Sequence, residues 1–325
     1  MKIVFMGTPE FALPALQRLI DSRHEVALVV TQPDKPKGRG RRLEAPPVKH
    51  LAEQHGLAVF QPARLREAGV VERIRAVEAD LGVVAAFRML PADILTAPRL
   101  GCINIHPSLL PNYRGAAPIQ RCLMDGADTT GVTLMMLRPE MDAGDLVAQQ
   151  TVEIFPDDDA RSLGATCAVL GAEMLMRALD DAERTGGFET EPQNDDDATF
   201  APPIDKDDGL IPWGDPTERI MCRLRALTPR PGVYTHLNGD ERLIVIQAEP
   251  LWSNEAEALG DEMNRAEPGT TTSIQKGFGF TVRTGDGHLL VTRVRPQGRR
   301  EMDAAAFVNG RGIAVGDHLG DSGQA

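Results

Sequence analysis

The first 185 residues alternate between short apolar runs and stretches in which apolar residues recur every three or four positions. Short apolar runs bounded by turn residues indicate buried strands, and the longer period indicates helices that pack on them. This alternation predicts an α/β fold, with a Rossmann-like, mainly parallel sheet and helices on both faces. The predicted strands are Lys2–Met6, Glu25–Val30, Leu57–Phe60, Leu81–Ala86, Cys102–His106 and Val132–Leu137, with Leu146–Ile154 pairing back on the last as a hairpin.

The periodicity ends after Thr185, and an acidic, proline-containing stretch follows that we interpret as a linker over residues 186–205. Beyond it, one predicted helix precedes short alternating segments: Gly232–Leu237, Arg242–Ala248, Gly279–Arg283 and His288–Val294. Closely spaced strands with glycine-rich turns predict a small antiparallel barrel. The predicted organisation is a first domain over residues 1–185, a linker, and a C-terminal OB-like β-barrel domain over residues 206–325.

Polar side chains occur near the end of the strand predicted at Cys102–His106. With a period of two, Asn104 and His106 lie on one face of this strand, while the isoleucines beside them pack on the other. The loop that follows is restrained by Pro107 and Pro111. Small molecules bind open α/β sheets beyond the carboxyl ends of the strands, so we expect a binding site here. Without further context, a buried structural histidine remains the simpler interpretation.

The chain carries a net charge of -12, which argues against general affinity for nucleic acid. The segment from Thr31 to Leu43 is an exception, because it is rich in proline, glycine and basic residues, including Lys35, Lys37, Arg39, Arg41 and Arg42. A solvated surface loop is the ordinary interpretation of such a segment. Its place after a strand, on the same sheet edge as Asn104 and His106, favours a loop that binds phosphate.

Composition also disfavours several classes of protein. No run of about 18 apolar residues is evident, and the N-terminal residues match a buried strand better than a signal peptide, so we predict a cytoplasmic protein. The four cysteines are far apart, as in reduced core residues, and we expect no metal site. The Gly-x-Gly-x-x-Gly fingerprint is absent after the first strand, which disfavours a nicotinamide dehydrogenase.

Several short motifs give these residues a shared context. They are Asn104-x-His106, Ser108-Leu-Leu-Pro111, Arg114-Gly-Ala-Ala-Pro-Ile119, Asp142-x-Gly144 and Gln32-Pro-Asp-Lys-Pro36. Together they resemble the formyltetrahydrofolate-dependent formyltransferases, and the resemblance covers both predicted domains. Taken alone, Asp142 and Asp145 would be turn aspartates that bond their own backbone. The resemblance gives Asp142 a chemical role.

The resemblance implies an enzyme that transfers the formyl group of 10-formyltetrahydrofolate to the α-amino group of methionine on initiator methionyl-tRNA. It implies three catalytic residues, Asn104, His106 and Asp142. It also implies a folate site lined by Ser108, Leu109, Leu110 and Pro111. The tRNA acceptor stem would contact the basic segment, which carries Lys35, Lys37, Arg39, Arg41 and Arg42, and the barrel would hold the rest of the acceptor arm. We expect a monomer.

Formyl transfer to an amine passes through a tetrahedral intermediate whose oxygen becomes negative. A positioned hydrogen-bond donor at that oxygen contributes ~2.7 to 4 kcal/mol. The Asn104 amide is a suitable donor, with His106 as a second one. The attacking amine must lose a proton, and Asp142 is the expected acceptor, directly, through water or through His106. No nucleophilic cysteine or serine arrangement is evident, so we expect neither a covalent intermediate nor a metal.

The sequence is also compatible with other functions. A formyltransferase of nucleotide-sugar amines shares the Asn, His and Asp set, but it has no evident need for five closely spaced basic residues. Glycinamide ribonucleotide formyltransferase resembles the first domain alone. A non-catalytic RNA-binding protein would use the basic segment and the barrel, although the intact Asn, His and Asp set argues against it. Phe87 and Arg88 depart from the family pattern near the expected folate edge.

Overall fold

A seven-stranded sheet forms the centre of the first part of the chain. The computed structural model describes residues 1–37, 42–237, 241–251, 260–311 and 313–320. Up to residue 202 its strands are β1 Lys2–Gly7, β2 Glu25–Val30, β3 Lys35–Lys37, β4 Arg42–Glu44, β5 Val59–Phe60, β6 Leu81–Ala85, β7 Cys102–His106, β8 Arg114–Gly115, β9 Thr129–Met136, β10 Leu146–Glu153 and β11 Phe200–Ala201. Every strand predicted in this part of the chain is present, and the bounds of β2 and β7 are those predicted.

The strand order confirms the Rossmann-like, mainly parallel sheet. It is β10-β9-β7-β6-β1-β2-β5. Strands β1, β2, β5, β6 and β7 are parallel, whereas β9 runs antiparallel to β7, and β10 runs antiparallel to β9 as the predicted hairpin. Strand β6 is buried along its whole length, as expected of a central parallel strand. The register places Asn104 between Val84 of β6 and Met135 of β9.

Six helices occur in the same part of the sequence: α1 Leu13–Ile20, α2 Pro47–Gln54, α3 Val70–Arg75, α4 Ala92–Leu95, α5 Pro118–Met124 and α6 Ala160–Thr185. Helix α6 packs closely on the sheet, because a Cβ atom on Gly171 would lie 2.4 Å from a methyl carbon of Ile105. Among the described helices, α6 alone has the length and mean hydropathy of a membrane span. Core helices meet the same criterion, and one face of α6, which includes Leu163, Leu175 and Leu179, is buried.

The segment interpreted as a linker packs along the first part of the chain. Its strand β11 pairs in parallel with β8, and Glu191 forms an antiparallel bridge with Leu146 at the start of β10. The backbone N–H of Thr199 donates to the carbonyl of Pro111, in the loop after β7. The part of the predicted linker from Glu191 to Ala201 therefore has defined tertiary contacts, which its polar sequence does not predict.

The remaining elements are α7 Thr217–Leu227, β12 Val233–Leu237, β13 Glu241–Pro250, α8 Asp261–Asn264, β14 Thr271–Gln275, β15 Gly279–Arg283, β16 His288–Pro296, β17 Met302–Asp303 and α9 Ala304–Arg311. The order β12-β13-β16-β15-β14, with β17 on β16, makes an antiparallel sheet. Leu319 bridges Leu237 at one edge, and His318 bridges Thr270 beside the other. The C-terminal segment thus links both edges of the sheet, which confirms a small barrel-like domain.

Backbone contacts divide the chain into two compact units. The first contains Met1–Ile119, Asp128–Phe155 and Arg161–Pro202, and the second contains Gln120–Ala127, Pro156–Ala160 and Pro203–Ala325. Most of helix α5 is therefore grouped with the second unit, although it lies far from the barrel in the sequence. The first unit includes most of the predicted linker, and the side chains Asn104, His106 and Asp142 all belong to it.

Candidate active site

Strand β7 holds the first two residues of the predicted site. Asn104 is half-buried, and His106, the last residue of the strand, is 4% exposed. Between them, Ile105 packs against Gly171 of helix α6 on the opposite face. Because side chains alternate along a strand, Asn104 and His106 share the face that is turned away from α6.

His106 makes two polar contacts through its ring. Its Nε2 lies 3.1 Å from the carbonyl oxygen of Tyr113, and its Nδ1 lies 3.8 Å from Oδ2 of Asp142. A carbonyl only accepts hydrogen bonds, so the neutral ring carries its proton on Nε2 and keeps a lone pair on Nδ1. Burial lowers the pKa of His106 from its usual 6.5, although the Asp142 charge and the Tyr113 carbonyl oppose the shift. The imidazole is therefore neutral at pH 7.

Asp142 lies in the loop between β9 and β10 with a left-handed backbone, φ +50°. Its Oδ2 accepts a hydrogen bond of 2.9 Å from the backbone N–H of Gly115. Two residues later, a Cβ atom on Gly144 would lie 1.6 Å from a backbone carbonyl oxygen, so only glycine fits that position. Asp145 instead forms an ion pair of 2.6 Å with Arg138. The structure thus separates the two aspartates, and only Asp142 lies beside His106.

The Asn104 amide has a different environment from the other two groups. Within the described part of the chain, no hydrogen bond involves its side chain, whereas Nε2 of His106 and Oδ2 of Asp142 each have a hydrogen-bond partner. The backbone of Asn104 is fixed on both sides by β6 and β9. A half-buried amide on a rigid strand, with free donors, is suited to bind an oxygen of a ligand.

Residues 1–179 match a protein-family model described as formyl transferase, and residues 203–312 match the model of its C-terminal domain. The methionyl-tRNA formyltransferase of Trichlorobacter lovleyi is 42% identical over 319 residues, which are 98% of this chain and 96% of that protein. The chain belongs to the methionyl-tRNA formyltransferase family. It is an enzyme of formyl transfer, and the resemblance noted in its motifs is confirmed over both units.

Two solved structures have the same fold at low sequence identity. HypX from Aquifex aeolicus, in complex with tetrahydrofolic acid, is 20% identical with a TM-score of 0.62, over 96% of this chain and 48% of that one. The N-formyltransferase from Helicobacter canadensis, in complex with folinic acid and dTDP-3-aminofucose, is 15% identical with a TM-score of 0.63, over 91% of this chain and 100% of that one. At such identities the likeness shows the fold alone.

The loop after β7 contains the four residues that the family resemblance assigned to the folate. Ser108 and Leu110 are buried, and the Ser108 hydroxyl donates to the carbonyl of Asn112 at 2.6 Å. The exposed surface of these four residues is therefore provided by Leu109 and Pro111, which are partly buried. Two apolar side chains on a restrained loop are suited to contact the ring system of a folate.

Two residues that the sequence interpretation missed hold this loop. The Thr133 hydroxyl donates to the carbonyl of Ser108 at 2.6 Å and accepts from the N–H of Leu110 at 3.1 Å. The Gln149 amide donates to the carbonyl of Leu110 at 2.7 Å and to the Thr133 hydroxyl at 2.9 Å. Thr133 is the one polar residue in the apolar run from Val132 to Leu137. This exception to the hydrophobic pattern could have indicated that its hydroxyl has a structural role.

The basic segment begins as a short hairpin of β3 and β4. Lys35 and Lys37 lie in β3 and Arg42 in β4, while Arg39 and Arg41 lie outside the described residues. The base of the hairpin is fixed by Asp34, which pairs with Lys49 at 2.8 Å and accepts from Gln61 at 2.7 Å. The hydrogen bond from Gln61 has the largest effect and that from Lys49 the next largest, and together they lower the pKa of Asp34.

The sheet order gives the spacing between β2, the strand that leads into this hairpin, and β7, the strand that carries Asn104 and His106. Strand β2, which leads into the hairpin, is separated from β7 by β1 and β6. Three strand spacings of about 4.8 Å place the two strands roughly 14 Å apart. Because the strands are parallel, both carboxyl ends lie at the same edge of the sheet, as predicted. The hairpin thus follows a strand that ends at the same edge of the sheet as β7.

The departure from the family pattern at Phe87 and Arg88 has a structural role. The Arg88 guanidinium donates to the carbonyls of Pro62 and Ala63 at 2.7 and 2.8 Å. It therefore joins the loop after β5 to the loop after β6. Phe87 packs on the apolar core beneath these loops. The two bulky residues thus stabilise the loops at the carboxyl ends of β5 and β6, and β6 is the neighbour of β7.

Among residues 1–37, 42–237, 241–251, 260–311 and 313–320, the cysteine thiols are further potential nucleophiles. All four cysteines are buried and none forms a disulfide. Burial raises the pKa of the Cys102 thiol to about 12, so it is protonated at neutral pH. In those ranges, no three His, Cys, Asp or Glu side chains lie close enough together to hold a metal ion.

Proposed function

We propose that Asn104, His106 and Asp142 carry the transfer of a formyl group from 10-formyltetrahydrofolate to the α-amino group of methionine on initiator methionyl-tRNA, for translation initiation. The observation that supports these roles best is the Asn104 amide, which has no protein partner in the described chain and shares a strand face with His106. Asp142 lies 3.8 Å from that imidazole. The family relationship over both units supports the reaction and both substrates.

The mechanism begins with attack of the amine on the formyl carbon. Negative charge then develops on the formyl oxygen, and the Asn104 amide donates a hydrogen bond to it. The amine must also lose a proton, which the lone pair on Nδ1 of His106 accepts. The resulting imidazolium is stabilised by Asp142, because a proton on Nδ1 faces the carboxylate. Returning that proton to the departing nitrogen of tetrahydrofolate completes the transfer.

This assignment refines the part expected of His106. As long as the ring is neutral, its only N–H is bound to the Tyr113 carbonyl, so it is not a donor to the formyl oxygen. Asp142, whose Oδ2 is already bound to the Gly115 N–H, acts through His106. The separation of 3.8 Å exceeds a hydrogen bond and shortens once Nδ1 is protonated.

We further propose that the folate contacts the loop Ser108, Leu109, Leu110 and Pro111, mainly through Leu109 and Pro111. For the tRNA, we propose phosphate contacts at the basic segment, with Lys35, Lys37, Arg39, Arg41 and Arg42. A spacing of roughly 14 Å between β2 and β7 allows the hairpin to bind the stem while the amino acid at its end reaches His106. The barrel over residues 206–325 would bind the rest of the acceptor arm, and residues 1–185 would carry the chemistry.

We also propose that the protein acts in the cytoplasm as a monomer. The test of its function offers the purified protein labelled 10-formyltetrahydrofolate together with charged initiator tRNA, a 4-amino sugar nucleotide or glycinamide ribonucleotide in parallel. We expect label on the methionine of the tRNA alone. Label on the sugar or on the ribonucleotide, with none on the tRNA, would overturn the proposal. The variant Asn104→Ala should lose the transfer while it retains its fold.

A further inference from the structure

The segment from residue 186 to residue 202 contacts the loop that carries Asp142 and the loop that follows His106. It was expected to be a linker, and its composition is polar and acidic. In the structure its side chains and backbone bind the loop of Asp142 at one point and the loop after His106 at another. These two sets of contacts involve different atoms, so each supports a role in the site independently.

Gln193 makes the contact with the Asp142 loop. Its Nε2 donates to the carbonyl oxygen of Asp142 at 2.9 Å and to that of Gly144 at 2.6 Å. Asp142 has a left-handed backbone, which turns its carbonyl out of any regular ladder. A half-buried carbonyl without a partner is costly, and one amide here satisfies two of them. Gln193 therefore stabilises the backbone conformation that aims the Asp142 carboxylate at His106.

The other end of the Gln193 side chain is fixed by Arg114. The Oε1 atom accepts from Nε of Arg114 at 3.1 Å and from a terminal nitrogen at 2.8 Å. The Arg114 side chain is only 6% exposed, and its guanidinium also pairs with Asp195 at 2.7 Å. With both ends bound, the Gln193 amide has a single orientation, and Nε2 must face the two carbonyls.

Thr199 makes the contact on the His106 side. Its hydroxyl accepts from the backbone N–H of Tyr113 at 2.8 Å. The carbonyl of the same Tyr113 lies 3.1 Å from Nε2 of His106 and sets its tautomer. Tyr113 has a left-handed backbone, φ +59°, so its orientation depends on such bonds. The segment thus fixes the group that orients His106 as well as the loop that carries Asp142.

We propose that Gln193 is a positioning residue for formyl transfer, and that Thr199 supports the loop after His106 in the same way. The proposal rests on the proposed function of Asn104, His106 and Asp142. Gln193 touches neither substrate in this assignment. It acts through Asp142, so its loss should lower kcat and leave the KM of both substrates nearly unchanged.

The principal test is Gln193→Glu in the full chain. Glutamate keeps the length of the side chain and gives Arg114 a carboxylate partner, but it replaces the donor to the two carbonyls by an acceptor. We expect kcat to fall about tenfold or more, since displacement of a reacting group by about 1 Å can cost about 100-fold. Each KM should remain within about twofold, because groups that only position do not bind the ground state.

A matched control is available at the next residue. Among the described residues, the Asn194 side chain bonds only within its own turn, to the N–H of Asp196 and the carboxylate of Asp197. Asn194→Asp makes the same change from amide to carboxylate, and we expect wild-type kcat. A kcat of Gln193→Glu equal to that of Asn194→Asp would overturn the proposal, as would a loss found in KM alone.

A second measurement is independent of turnover. Gln193→Met is nearly isosteric and uncharged, and it removes both sets of hydrogen bonds. The Asp142 charge raises the pKa of His106, so a displaced Asp142 should lower that pKa further in an NMR titration. An unchanged His106 pKa in Gln193→Met would contradict the proposal. If the wild type formylates none of the offered amines, the proposed function fails, whereas this titration still tests the contact between Gln193 and the Asp142 loop.

Discussion

Replacing Asp142 by asparagine removes one negative charge and little else. The side-chain oxygen of asparagine can still accept the hydrogen bond of 2.9 Å from the Gly115 N–H. The backbone contacts to Gln193 involve the main-chain carbonyl, which the substitution leaves in place. Asparagine also tolerates the left-handed backbone of this position. Asp142→Asn should therefore fold as the wild type does and change only the electrostatics around His106.

The size of the effect follows from the chemistry assigned to the pair. General acid–base catalysis contributes roughly 100-fold to 10,000-fold, which corresponds to about 2.7 to 5.4 kcal/mol of the activation barrier. Without the carboxylate, the imidazolium formed by proton uptake at Nδ1 has no counter-charge within a buried site. The pKa of His106 is already lowered by burial, and it should fall further when the opposing Asp142 charge is removed. A weaker base then removes the proton from the amine.

The assay is single-turnover transfer of labelled formyl to charged initiator tRNA, with both substrates saturating, as a function of pH. Asp142→Asn should lower the rate at pH 7 by at least about 100-fold. The acid limb of the profile should move to lower pH, because the free imidazole persists to lower pH when its pKa falls. An NMR titration of His106 provides the independent measurement. A rate within a few-fold of wild type, with an unchanged His106 pKa, would refute the assignment of Asp142.

Further predictions concern other parts of the molecule. Asn104→Ala should lower kcat by about 100-fold or more in the same assay without unfolding the protein, and near-normal turnover would exclude its role as a donor to the oxyanion. Gly144→Ala places a Cβ atom 1.6 Å from a backbone carbonyl, so thermal unfolding should show a loss of about 1–3 kcal/mol, whereas Gly187→Ala, with no atom within 4 Å, should show little change. Three buried histidines have a pKa lowered chiefly by burial, among them His288. In the unfolded chain these histidines have a pKa of 6.5, and in the folded protein their pKa is lower. The free energy of unfolding is therefore fully retained above pH 6.5, and it decreases as the pH falls below that value. His288→Leu should remove up to about 1.4 kcal/mol per pH unit from that fall, measured by denaturant unfolding, and an unchanged slope would contradict the assignment. Arg39→Ala should raise the KM for tRNA and leave the KM for folate unchanged. It should also reduce the slope of log tRNA affinity against log salt concentration by about one, and unchanged constants for tRNA would contradict a role of the basic segment in tRNA binding.

The hydrophobic pattern was sufficient for most of the first sheet. Strand β7 has its predicted bounds because five residues of period two are followed at once by proline. The pattern failed at β14 Thr271–Gln275, which contains threonine and serine where apolar residues would be expected. There the buried Thr272 hydroxyl lies 2.8 Å from that of Thr281 on β15, so two polar groups satisfy each other inside the barrel. Such mutual pairing is a tertiary property that a single strand does not display.

The candidate site could be predicted only in part from the residues themselves. Asn104 and His106 share a face because of strand geometry alone, but the role of Asp142 came from the family resemblance. Its approach to His106 depends on a loop with a left-handed residue and on Gly144 packed against a carbonyl. Turn aspartates usually bond their own backbone, and apart from the Asp142-x-Gly144 motif of the resemblance, the local sequence does not distinguish Asp142 from Asp145. The ion pair of Asp145 with Arg138 makes that distinction in the structure.

The segment 186–202 shows why a polar, aperiodic stretch is difficult to interpret. A loop with left-handed residues directs carbonyls away from regular ladders, and these carbonyls require donors from elsewhere in the chain. Gln193 supplies two such donors at the Asp142 loop, and Thr199 supplies an acceptor at Tyr113. Side chains that serve this purpose must be polar and follow the irregular path of the loops, so they show no helical or strand period. Polarity and the lack of a regular period made the segment resemble a linker. The same two features are expected of side chains that stabilise an irregular catalytic loop.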